Sequence, residues 1–75
     1  MNKKRRQQLR DWMDQLEKLK YNLEMIQWDE ESYYNAIPEN LQSGENAMNS
    51  EDAIDKIADA IMSLEEAIEV IEEIV

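Results

Sequence analysis

Two heptad runs, separated by one stop at Ile37-Pro38, confine this chain to a pair of long helices. With Leu9 as position a, Trp12 falls on d, Leu16 on a, Leu19 on d, Leu23 on a and Ile26 on d. Glu30 then takes a, Tyr33 d and Ile37 a, so eight of the nine positions are apolar. The spacing predicts a first helix over about 2–36. Ile37 ends it, because a residue before proline is pushed out of the α region. Pro38 is placed to open a short helical turn through Leu41, and Gln42 to Asn49 reads as loop, with Ser43-Gly44 the clearest break.

The second run is more regular. Ile54, Ile57, Ile61, Leu64, Ile68, Ile71 and Val75 occupy a and d throughout, and Ala53, Ala60, Ala67 and Ile74 all fall on g. The expected helix spans about 50–75, capped by Asn49 or Ser50, with Glu51, Asp52 and Asp55 suiting the positive end of its dipole. The fold expected is all-α: one domain over residues 1–75, an antiparallel two-helix hairpin with heptad packing, the turn at about 37–49. Packed back from the turn, the second helix reaches about Arg10 and leaves residues 1–9 overhanging.

Tyr21, Met25 and Trp28 lie on the c/f face, away from the leucine seam. A helix with two apolar faces needs two partners, and the chain supplies one. Tyr21, Met25, Trp28 and the alanine strip Ala53, Ala60 and Ala67 are therefore expected to form an oligomer interface. The partner expected is a further copy, giving at least a dimer, for which a four-helix bundle is the simplest form. Seventy-five residues are few for a self-sufficient core.

Charge is distributed unevenly. Residues 1–20 hold seven of the eight Lys and Arg with three acids, net +4; residues 21–75 hold fifteen acids and Lys56, net −14. The overall −10 disfavours loose binding to DNA or to an anionic membrane. No apolar stretch is long enough to span a bilayer, and the basic start leads into no apolar signal region. The cytoplasm is the compartment expected.

The chain has neither His nor Cys, which removes the commonest general base, the commonest zinc ligand and thiolate chemistry together. Asp52/Asp55 and Glu69/Glu72 have the i, i+3 spacing of helical metal-dependent hydrolases, but the repeat turns them outward. No Gly-rich phosphate loop occurs, and no serine has a histidine to activate it. The chain is expected to be no enzyme, with no metal and no cofactor.

Lys3, Lys4, Arg5 and Arg6 sit at a helix N-terminus, where the dipole disfavours cations. Either the acids of the second helix or a neighbouring subunit neutralise them, or they meet an anion from outside. Trp28, Tyr33 and Tyr34 either pack between subunits or stack on a ligand. Asn40, Gln42 and Ser43 either close the turn with local bonds or recognise a ligand. Arginines for phosphate and aromatics for a base would converge if helix one of one chain lay antiparallel to helix one of another. The ligand-binding set is then Lys4, Arg5, Arg6, Arg10, Trp28, Tyr33, Tyr34, Asn40, Gln42 and Ser43.

The opening Met1-Asn2-Lys3-Lys4-Arg5-Arg6, the turn Pro38-Glu39-Asn40-Leu41-Gln42-Ser43 and the acidic Ile/Ala/Glu helix at the end make the chain similar to a known group. The layout resembles short helical-hairpin proteins common in phages and prophages of Gram-positive bacteria. The resemblance implies a phage accessory protein acting in host cytoplasm, often in counter-defence, and carries over no active site. Two functions are weighed on that footing. One is an oligomer that sequesters a small anionic signalling nucleotide at subunit interfaces. The other is an acidic, DNA-mimicking inhibitor that covers a basic surface of a host defence nuclease or other nucleic-acid-binding protein. A purely structural oligomer is the remaining alternative.

Overall fold

The computed structural model describes all 75 residues. Helix α1 covers Lys3–Ala36, a short 3₁₀ turn covers Glu39–Leu41, and helix α2 covers Glu45–Ile74. The two helices pack against each other as an antiparallel hairpin, and there is no strand.

Local chemistry sets the ends of α1. Asn2 is its N-cap, and its Oδ1 accepts from the Arg5 N–H at 2.8 Å. Ile37 closes the helix in an extended conformation, φ −69° and ψ 128°, the geometry Pro38 demands of its predecessor. The Ile37 N–H still donates to Tyr34 O at 3.1 Å.

Helix α2 starts at Glu45, four to five residues before the Asn49 or Ser50 start expected from loop chemistry. Neither of those residues caps it. Burial overrides the local polarity: Ala47 and Ser50 are both enclosed against α1, and they continue the α2 repeat backwards on a and d. Gly44 is the N-cap and offers no side-chain bond. A Cβ there would stand 3.1 Å from Leu41 O, so a Ser or Asp cap would require the turn to give by a few tenths of an ångström.

Two cross-helix pairs fix the register. Lys20 Nζ lies 3.7 Å from Glu65 Oε1, and Arg10 Nη2 donates to the main-chain oxygen of Val75 at 3.1 Å. Residue i of α1 therefore stands beside residue 85 − i of α2, within about one position. Leu9, Leu16 and Leu23 fall across from Val75, Ile68 and Ile61. Glu30 falls across from Ile54. Between these layers the same register sets Met13 level with Ile71, Lys20 with Leu64, Gln27 with Ile57 and Tyr34 with Ser50.

The α1 side of the contact departs from the expected a/d seam. Its half-buried residues are Leu9, Met13, Leu16, Lys20, Leu23, Gln27, Glu30 and Tyr34, which are positions a and e. The d residues Trp12, Leu19, Ile26 and Tyr33 are 54, 53, 55 and 50% exposed. Rotation of α1 brings Lys20 to Glu65. The alanines at g of α2, ending at Cβ, are too short to cover the d row.

The result is a rod of 59 × 15 × 13 Å with a radius of gyration of 17.2 Å, against about 11 Å for a compact chain of this length. Only Ala47, Ser50, Ile61 and Ile68 are buried. One hairpin thus encloses a line of side chains rather than a core. No helix is long and apolar enough to cross a membrane.

Candidate functional site

Two features stand at opposite ends of the rod. At one end, residues 1–8 extend past the C-terminus of α2, beside which Leu9 and Arg10 stand. Lys3, Lys4, Arg5 and Arg6 are all exposed there. The first turn of α1 contains no acid, and the only ion pairs in the chain are Lys20–Glu65 and Lys56–Asp52. The tetrabasic run therefore lacks an anionic partner within its own hairpin. A shallow depression of about 540 Å³ lies beside it, between Lys3, Lys4, Gln7, Gln8, Arg10 and Asp11.

At the other end, the turn forms a cleft of about 440 Å³ lined chiefly by Tyr33, Ile37, Pro38, Leu41, Glu45 and Ala47. Its floor is apolar. Gly44, Glu45 and Asn46 also border it, so the cleft abuts the first turn of α2, the positive end of that dipole. Because Gly44 caps without a side chain, that turn has no side-chain acceptor for its N–H groups. Glu45 opposes an anion at the same place.

The nominated ligand residues divide between these ends and the helix faces. Lys4, Arg5 and Arg6 belong to the basic tip. Arg10 sits at its base, with one guanidinium nitrogen committed to Val75 O. Tyr33 lines the turn cleft, while Asn40 and Ser43 are exposed in the turn beside it. Gln42 is half-buried, and its Nε2 donates to Ile37 O at 3.2 Å, so its amide stitches the turn to the end of α1.

Tyr34 is half-buried on the α2 side, about 100° round the helix from Tyr33. The register sets it level with Ser50, so it faces α2 and is not presented for stacking. Trp28 is exposed but on the c/f face with Tyr21 and Met25, well round the helix from the cleft. The aromatic trio thus separates onto three faces. Along the rod, Arg6 and Tyr33 are 27 positions apart on one helix, about 40 Å. No single chain brings the basic tip and the turn cleft together.

Of the residues nominated for an interface, Tyr21, Met25, Trp28 and Ala60 are exposed, while Ala53 and Ala67 are half-buried. No group of three or more carboxylates converges as a metal site.

The lining residues Ile37, Pro38, Leu41 and Ala47 were not foreseen from sequence. The signal for them lies in the early start of α2, which folds 45–47 back over the turn.

Comparisons with family models, curated proteins and solved structures returned no match.

Proposed function

We propose that the chain is a non-enzymatic binding protein that assembles with itself and holds a small anionic nucleotide between subunits. Lys4, Arg5 and Arg6 of one chain take the phosphates. Tyr33, Asn40 and Ser43 of another receive the base end beside the start of α2. The supporting observation is the tetrabasic tip: four exposed cations, at the helix end least suited to them, none of them in an ion pair with an acid of their own hairpin. In a phage, such a protein would act in counter-defence by withdrawing a signal without destroying it.

The test is calorimetry with a panel of cyclic di- and trinucleotides, followed by recovery of the ligand from denatured protein. Binding with intact ligand recovered is the expected result. Arg5→Ala with Arg6→Ala should weaken binding by about 100-fold or more, since each charge-assisted contact contributes about 1.5 kcal/mol or more. Absence of binding across the panel, or recovery of hydrolysed ligand, sinks the proposal.

A second reading is favoured by one flank of the rod. Glu17, Glu24, Glu31, Glu51, Glu65 and Glu72 are all exposed and lie along the Lys20–Glu65 side of the hairpin. An acidic side of this kind suits a basic nucleic-acid groove on a host protein. Glu17→Lys with Glu24→Lys, on that flank, should then abolish inhibition in cells, and Arg5→Ala with Arg6→Ala should leave it intact.

A further inference from the structure

The two flanks of the hairpin are chemically opposite. On the Lys20–Glu65 flank the rows are charged. On the other flank the d row of α1, Trp12, Leu19, Ile26 and Tyr33, runs alongside the g row of α2, Ile74, Ala67, Ala60 and Ala53. The register matches them in that order, each bulky residue beside a residue of the other helix. This flank therefore has one ridge and one shallow, nearly flat strip. It differs from the Tyr21/Met25/Trp28 face that the heptad pattern first suggested.

We infer that this flank seats a second copy of the chain, antiparallel to the first about a twofold axis near Asn22 and Leu23. Three observations point to a copy rather than another partner. The ridge reads aromatic, aliphatic, aliphatic, aromatic, so it is the same from either end. Antiparallel pairing sets Trp12 against the partner's Tyr33 and Leu19 against the partner's Ile26, as an isologous contact requires.

Size is the second observation. Twenty-one positions from Trp12 to Tyr33 span about 32 Å, and two helices are about 20 Å wide. The face thus offers about 600 Å², close to the roughly 800 Å² per partner of a standard interface before the overhangs are counted.

Charge decides the orientation. In this register residues 3–6 lie over residues 39–42 of the partner. The tetrabasic tip then reaches the turn end, where Glu39 and Glu45 are exposed and in no ion pair. A parallel pair would set two basic tips side by side. The antiparallel pair also brings the tip of one chain to the turn cleft of the other. The nucleotide proposal draws its site from this pairing, whereas the pairing itself needs no ligand.

Light scattering on the full chain is expected to give twice, or a higher even multiple of, the 8.9 kDa chain mass. Leu19→Glu with Ile26→Glu should reduce it to a monomer, and Tyr21→Glu with Trp28→Glu should not. Because the first variant could unfold, orientation is read separately on folded protein. The chain has no Cys, so Asn22→Cys should oxidise to a covalent dimer. Nitroxides on Gln8→Cys should lie about 45 Å apart, 29 positions at 1.5 Å; a parallel pair would bring them within about 25 Å. A monomeric parent chain, a short Gln8 distance, or dissociation only by the Tyr21/Trp28 variant overturns the pairing. A cross-linked dimer that takes up no cyclic dinucleotide sinks the ligand proposal alone; a monomer that binds one sinks the pairing alone.

Discussion

Arg10 Nη2 donates to the main-chain oxygen of Val75 at 3.1 Å, closing the C-terminus of α2 with a cation from α1. Helix α2 has no basic residue in its last turn, and Glu69, Glu72 and Glu73 put negative charge at the negative end of its dipole. The cation that belongs there comes from the other helix. Arg10→Ala should cost about 0.3–1 kcal/mol and let the last turn of α2 fray. Amide exchange at residues 72–75 should accelerate by about two- to five-fold, with the Ile61 region unchanged. Equal protection in the variant would mean that the contact does not cap the helix.

Ser50 is 3% exposed, and its Oγ has no hydrogen-bond partner. It lies across from Tyr34 inside the helix contact. A buried unpaired hydroxyl costs about 1–3 kcal/mol, and Ala has the higher helix propensity. Ser50→Ala should therefore stabilise the hairpin by about 1 kcal/mol, read as a higher urea midpoint at unchanged slope. A lower midpoint would show that the hydroxyl bonds to something supplied by assembly or ligand.

Lys56 Nζ lies 2.9 Å from Asp52 Oδ2, one turn away on the outer surface of α2. The hydrogen bond to Asp52, and then its charge, raise the lysine above its ordinary 10.5. With the folded value above the unfolded one, the stabilisation is complete below about pH 10.5 and lost as pH rises through the folded value. Asp52→Asn should return the Lys56 titration, followed by its Cε chemical shift, to the ordinary range. An unmoved titration would dismiss the pair.

How far the sequence discloses this molecule depends on which residue is asked. The stop at Ile37-Pro38 and the inward Ile/Leu row of α2 follow from backbone sterics and period alone, because nothing tertiary competes with them. The start of α2 does not. Asn46 and Asn49 carry loop chemistry, and only the enclosure of Ala47 against α1 makes them helical. Trp12 and Leu19 resist reading for a different reason. They sit on a heptad broken only at Glu30, but the period says that a row is apolar, not which partner covers it. The hairpin uses a and e, leaving d exposed. At the candidate site, Lys4, Arg5 and Arg6 are legible as unneutralised charge, whereas the separation of Tyr33 from Tyr34 depends on the rotation of α1.

Ile61 stands across from Leu23 and, with Ile68, is one of two large apolar residues of the hairpin that are buried. Truncating a buried Ile to Ala costs about 2–5 kcal/mol. A domain of this length has about 4–11 kcal/mol in all, and a rod with so little enclosed belongs at the low end. Ile61→Ala should therefore lose most of its helical circular dichroism at 37 °C, while Met62→Ala, one position on and exposed, should not. If assembly adds stability, the Ile61→Ala signal should recover as protein concentration rises, because folding and association are then linked. Helicity that stays lost at every concentration would place the stability within each hairpin and remove the energetic need for a second copy.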